Sequence, residues 1–160
     1  MTKLFDMSEE GVKVLRRFIK ESLAAKRSES AGVVVLRKFG DEYKVLCLEE
    51  ADKEKLDLTK GRIDPGEDAL SAAIRETYEE SGIDDIHFVW GFKPVRCCQT
   101  LMYVAVTDQD PVITANPHTG KFEHLSAKWS SFDEAKNIVK KWLVPAIEYA
   151  ELICAIDDQV

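Results

Sequence analysis

The sequence predicts a mixed α/β domain with helices packed on a sheet, and three observations carry that expectation. Short runs rich in β-branched and aromatic residues alternate with stretches whose apolar residues recur at helical spacing. No internal repeat or low-complexity segment interrupts the 160 residues, a length that fits one domain around one core. The composition, 45% hydrophobic and 32% charged, is that of a globular protein and argues against disorder.

Each element follows from local signals. Val12, Leu15, Phe18, Ile19 and Leu23 mark an amphipathic helix from Ser8 to about Lys26, with Ser8 as its N-cap. "AGVVVLRK" (Ala31–Lys38) and "YKVLCLEE" (Tyr43–Glu50) read as strands joined by a turn at Gly40-Asp41. The stretch "ADKEKLDLTKGRIDPGED" reads as a long loop closed by Asp64-Pro65-Gly66, and loops of that length tend to be functional or disordered. Asp68 to Ser81 is a helix with Leu70, Ile74, Thr77 and Ser81 as a narrow inner stripe, stopped by Gly82. Strands are expected at Ile86–Phe92, Thr100–Val106 and Ser126–Ser130, with residues 108–124 mostly loop. Ser131-Phe132-Asp133-Glu134 is a capping box opening a helix to about Trp142. Pro145 fits the first turn of a last helix, Val144 to about Ile156.

The formal net charge is −7, which disfavours non-specific nucleic-acid binding. A small phosphorylated substrate stays compatible, provided a cation neutralises the meeting of two acidic partners. No apolar run reaches a membrane span of about 20 residues, and the N-terminus lacks a signal segment. The four cysteines form no CxxC pair and read as reduced thiols, so a cytoplasmic location is expected.

One stretch breaks a rule of helix design. In "RETYEESG", Glu76, Glu79 and Glu80 share one helix face, where like-charge pairs cost ~0.2–0.5 kcal/mol each. They also crowd the C-terminal end, where the helix dipole disfavours negative charge. A solvated acidic face is the plain reading. Clustered carboxylates are also oxygen ligands for a hard divalent cation, which would relieve their repulsion. Arg75 beside them can orient a carboxylate through its fork of donors.

Gly61, five residues, Glu67, seven residues, then Arg75-Glu76-Thr77-Tyr78-Glu79-Glu80-Ser81-Gly82-Ile83 resembles the Nudix box, GX5EX7REUXEEXGU. Every fixed letter is present, and Thr77 stands where the family has a bulky aliphatic residue. The resemblance implies a Nudix-type α/β/α sandwich with a mixed sheet over residues 31–160, preceded by a helical extension over residues 1–30. That extension is left with two roles, capping the sheet or pairing two chains as a homodimer. The resemblance further implies Mg2+ or Mn2+ as cofactor, with Glu76, Glu79 and Glu80 as ligands. Glu67 would join the water shell of the metal, Gly61 would offer its carbonyl, and Arg75 would orient Glu76 or Glu79. The implied reaction is hydrolysis of a pyrophosphate bond in a nucleoside diphosphate linked to another group. Glu76 and Glu123 both stand as candidates for the general base.

Around the box, "TKGRIDPGED" and "FEHLSAKWSSFDEA" resemble segments of the diadenosine tetraphosphate hydrolases of the animal and archaeal type. Lys60 and Arg62 then look like phosphate contacts, and Tyr103 like a base-stacking residue. Thr59, Leu56 and Met102 depart from the pattern of that subgroup. RNA 5′-pyrophosphohydrolases, acting on a 5′-phosphorylated RNA end, and diphosphoinositol polyphosphate hydrolases share similar loops and stay open. A Nudix module that binds a nucleotide without cutting it is the rival from another class; such modules typically lose box glutamates, and this chain keeps them all.

Overall fold

A central hairpin organises the fold. The computed structural model describes residues 8–16, 28–51 and 53–158. Strand β1 (Ser30–Phe39) pairs antiparallel with β2 (Glu42–Glu50) through the expected Gly40-Asp41 turn. β3 (Thr59–Arg62) pairs antiparallel with β1, and helix α1 (Ala69–Ser81) follows it. Then come β4 (Val95–Cys97), β5 (Thr100–Val106) and β6 (His124–Ser130). Helix α2 (Phe132–Ile138), a 3-10 turn (Lys141–Leu143) and helix α3 (Val144–Asp157) complete the order.

The sheet runs β4-β5-β1-β2-β6, with β3 attached to β1. β1 and β5 are parallel and the other pairs antiparallel, so the sheet is mixed. β1 can be a continuous apolar run because both of its faces are covered. Val33 and Val35 point to one side with Ala72 and Ala73 of α1, while Val34 and Leu36 point to the other with Ala146 and Ile147 of α3. Period-two alternation therefore feeds two cores, and the architecture is the expected α/β/α sandwich.

Several local expectations are corrected. The loop after β2 contains β3, a four-residue strand without the alternating apolar pattern that would announce it. "IHFVWGF" is not a strand: His87 makes one bridge to Val106, and the chain then turns at residues 89–90. Ile74 is 37% exposed, because the buried face of α1 runs through Ala72, Ala73, Thr77, Glu80 and Ser81 and leaves it at the margin. The helix opened by Ser131, whose hydroxyl accepts from Glu134 N–H at 3.1 Å, stops at Ile138 rather than near Trp142. At the N-terminus, residues 9–16 are helical and Ser8 Oγ accepts from Gly11 N–H at 3.1 Å; Phe18, Ile19 and Leu23 lie outside the described residues. The four cysteines are free thiols. Among the described residues, no helix is long and apolar enough to cross a membrane.

Candidate active site

Helix α1 and strand β3 build the site between them. Asp68 caps α1 by accepting from Ser71 N–H at 2.8 Å. At the other end Gly82 adopts the left-handed conformation, φ 71°, that closes a helix with least strain on a residue lacking Cβ. With both ends fixed, Arg75, Glu76, Glu79 and Glu80 face β3.

Four successive residues of β3 meet this helix. Thr59 Oγ1 lies 3.0 Å from Thr77 Oγ1, which explains a hydroxyl where the motif has an aliphatic side chain. Lys60 N–H donates to Glu80 Oε1 at 3.0 Å. Gly61 lies so close to Glu76 that a Cβ there would stand 2.1 Å from the carboxylate carbon. The Arg62 carbonyl accepts from Arg75 Nη2 at 2.9 Å.

Arg75 is the hub, and its guanidinium makes a hydrogen bond for each of its five N–H groups. Nε and Nη2 grip Glu67 bidentately, both at 2.9 Å. Nη1 holds Glu76 Oε1 at 2.9 Å and Glu79 Oε2 at 3.2 Å. Glu67 also accepts from Asp64 N–H at 3.2 Å, and its carboxyl is held below the usual range chiefly by Arg75. These neighbours raise the Arg75 pKa, Glu67 contributing most.

One arginine cannot neutralise four carboxylates. Burial pushes the Glu76 carboxyl up despite Arg75, and Glu79 and Glu123 push in the same direction. Glu80 is driven to about 9 by burial, with Asp57 and Glu76 adding to the shift against the Lys60 N–H. Burial with too little positive charge nearby disfavours the ionised form of both carboxylates. The set of oxygen donors, the glycine cradle and the excess of negative charge fit a hard divalent cation.

These residues line an open cleft of about 430 Å3. Lys60, Gly61, Arg62, Arg75, Glu76, Glu79, Glu80 and Glu123 are all brought to it, whereas Glu67 lies behind Arg75. Glu123 arrives from the loop before β6, where Asn116 Nδ2 donates to its Oε1 at 2.7 Å. Tyr103 is a correction: it is 6% exposed in the core, its ring edge-on to Phe88 at 6.5 Å, and it does not line the cleft. The Lys60 ammonium is turned to Asp57 at 2.8 Å and so is already paired.

Sequence reasoning missed the groups behind Glu80. His124 Nε2 lies 3.3 Å from Glu80 Oε2. Asp57, 2% exposed, is held by Lys60 and by Lys140 Nζ at 3.1 Å, and Lys140 also meets Glu50 at 3.0 Å. Ligand atoms of Glu50, Asp57 and His124 lie within 4.8 Å of one another. The Lys60 and Lys140 ammonium groups at those carboxylates make this a charge-balanced wall, unlike the cation-hungry cluster in front of it. The acid between two leucines in "KLDLTK" was the one signal pointing to a buried, paired Asp57.

A carboxylate-bearing helix laid against a strand that carries the glycine of its motif defines a Nudix-type domain. A sequence profile described as "NUDIX domain" matches residues 26–150, and the chain belongs to that family. It is accordingly an enzyme of the Nudix pyrophosphohydrolase class. Two relatives bear the name bis(5'-nucleosyl)-tetraphosphatase [asymmetrical]. That of Caenorhabditis elegans is 28% identical over 133 residues, 78% of this chain and 88% of the relative. That of Rattus norvegicus is 33% identical over 90 residues, 48% of this chain and 55% of the relative. Among solved structures, a C. elegans Ap4A hydrolase binary complex superposes with TM-score 0.62 at 24% identity, over 79% of this chain and 96% of that one. The E. coli dihydroneopterin triphosphate pyrophosphohydrolase gives 0.57 at 23% identity, over 78% and 94%. These two superpositions establish the shared fold.

Proposed function

We propose that this protein hydrolyses a pyrophosphate bond in a nucleoside diphosphate linked to another moiety, with dinucleoside polyphosphates as the substrate class. The observation that carries the reaction is the under-neutralised carboxylate cluster facing Gly61 across the cleft. The resemblance of "TKGRIDPGED" to the tetraphosphate hydrolases and the named relatives support the substrate class.

Glu76, Glu79, Glu80 and the Gly61 carbonyl would hold Mg2+ or Mn2+, with Glu67 joining through water. When bound, such an ion neutralises phosphate oxygens and lowers the pKa of a ligated water. The residues of the chain do the positioning that phosphoryl transfer needs. Arg75 fixes Glu76 and Glu79 relative to β3, so the carboxylates are set before substrate arrives. Arg62, exposed at the cleft, is the phosphate contact. A general base takes the proton from the attacking water, and two carboxylates suit that task. Glu76 has a raised pKa that brings it nearer neutrality, and Glu123 is held over the cleft by Asn116. The reduced thiols fit a cytoplasmic setting, and residues 31–160 make up the hydrolase domain.

Glu79→Gln tests the reading, because a neutral amide is a poorer ligand for a hard cation. Magnesium-dependent cleavage of a diadenosine polyphosphate into two nucleotides is expected to disappear with the fold intact; activity near the wild-type rate would refute the metal assignment. A panel of diadenosine polyphosphates, nucleoside triphosphates, ADP-ribose, 5′-triphosphorylated RNA and diphosphoinositols tests the substrate class. The highest kcat/KM is expected for the diadenosine polyphosphates, and equal rates across the panel would refute it.

A further inference from the structure

Residues 107–123 join β5 to β6 and bring Glu123 to the cleft. The start of this stretch is fastened to the end of α1. Gln109 Oε1 accepts from Asp84 N–H at 3.1 Å and Asp85 N–H at 3.0 Å, and its Nε2 donates to the Gly82 carbonyl at 3.2 Å. Val112 N–H donates to the Ser81 carbonyl at 2.7 Å, and a Cβ on Gly82 would stand 2.8 Å from the Val112 carbonyl oxygen. Further along, Asn116 closes a turn. Its N–H donates to the Lys121 carbonyl and its carbonyl accepts from Gly120 N–H, both at 2.8 Å. The path that delivers Glu123 is therefore hydrogen-bonded at its start and again just before the carboxylate.

The Asn116 side chain serves two partners. Its Oδ1 accepts from His118 N–H at 2.8 Å, which fixes the orientation of the amide and turns Nδ2 to Glu123 Oε1 at 2.7 Å. Glu123 needs such a partner. Glu76, Glu79 and Glu80 line the same cleft, and Glu123 adds to the upward push on the Glu76 carboxyl, so repulsion alone favours turning Glu123 away. Among the described residues no cationic side chain pairs with Glu123, and no hydrogen bond reaches its Oε2. A neutral amide holds one oxygen without cancelling the charge, and it leaves the other oxygen to the cleft.

We propose that Asn116 is a positioning residue for the hydrolysis, holding Glu123 by Oε1 so that Oε2 serves the attacking water. As the water oxygen bonds to phosphorus, its proton passes to Glu123 Oε2. The bridging oxygen departs with the electron pair of the broken P–O bond. Asn116 touches neither the water nor the phosphate in this role; it acts through Glu123. The proposal rests on the hydrolase reading and deepens it, because it selects Glu123 over Glu76, whose Oε1 is taken by Arg75.

Steady-state kinetics of the full chain with Mg2+, on the panel substrate that the wild type cleaves best, test it through two variants and their combination. Asn116→Asp keeps an acceptor for His118 N–H, and with it the turn, but sets a carboxylate oxygen against Glu123. Its kcat is expected to fall roughly 10- to 100-fold, the upper figure being the cost of a misplacement of about 1 Å. Glu123→Gln is expected to fall at least as far, and adding Asn116→Asp to it should cost nothing more, as coupled residues require. An equal loss from Asn116→Asp in the wild-type and Glu123→Gln backgrounds overturns the proposal, because Asn116 would then act on substrate or fold without Glu123. Wild-type kcat in either single variant overturns it too, with the hydrolase reading intact. A wild type that cleaves none of the panel substrates overturns both.

Discussion

His124 stands behind Glu80: its Nε2 lies 3.3 Å from Glu80 Oε2, and both side chains are 6% exposed. The other oxygen of the same carboxylate is held by Lys60 N–H at 3.0 Å. Glu80 is thus held at one oxygen and closely approached at the other before any cation arrives. Burial lowers the His124 pKa, which favours a neutral imidazole that adds no charge to repel the metal. Partners of this kind typically change metal affinity or activity about 10- to 100-fold when removed. His124→Ala is expected to weaken Mn2+ binding to the metal-free protein within that range, measured by titration. His124→Gln, which refills part of the space behind Glu80 with a polar side chain, should recover part of the loss; unchanged affinity in both variants would show that Glu80 holds its place without the imidazole.

Gly61→Ala puts a methyl group 2.1 Å from the Glu76 carboxylate carbon. Either β3 or Glu76 must move. Overpacking of this kind costs about 1–3 kcal/mol. A fall in Tm together with loss of magnesium-dependent turnover is the expected outcome, and wild-type kinetics would show that the close approach is dispensable.

Arg75→Lys keeps the charge but offers three donors from one point, where the guanidinium offers five in a planar fork. Glu67 would lose its bidentate partner, and Glu76 and Glu79 would lose their shared anchor at Nη1. A drop of about 10- to 100-fold in kcat/KM is expected. Retention of more than half the activity would mean that charge alone matters at this position.

The raised pKa of Glu80 links stability to pH. In the folded, metal-free chain Glu80 holds its proton to about pH 9, whereas the unfolded chain releases it near the ordinary value of 4.5. Between those limits the folded state binds more protons, so this stabilising contribution is complete below about pH 4.5 and fades as pH rises through about 9. With the metal chelated, Tm is expected to decline across that window, and Glu80→Gln should flatten the decline. Cation binding should in turn release protons near neutral pH, seen as a buffer-dependent heat in calorimetry. A Tm profile identical in wild type and Glu80→Gln would contradict the shift.

The box glutamates were legible because they violate helix design in a fixed pattern, β1 and β5 because their apolar runs are long, and α3 because Pro145 marks its first turn. β3 was not, since "TKGR" has no apolar alternation and is a strand only because β1 offers it an edge. The run at Ile86–Phe92 misled for the opposite reason: it is apolar, but Phe88 and Trp90 pack into different cores instead of forming a ladder. Tyr103 sits in an apolar strand, and sequence cannot say whether such a ring faces a cleft or a core. The wall behind Glu80 draws on residues 50, 57, 124 and 140. Their proximity comes from the β2–β6 pairing of Glu50 with His124 and the bridge of Leu56 to Val139, which no local signal encodes.

The four-residue strand β3 has one more consequence. Thr59, Lys60, Gly61 and Arg62 each engage a different position of α1, so the strand works like a ruler that reads the rotation of the helix. An inserted residue within α1 between Ala69 and Arg75 would turn the rest of the helix by about 100° relative to its start and disturb all four engagements at once. The spacing between Gly61 and Arg75 is therefore as much a part of the site as the side chains it presents.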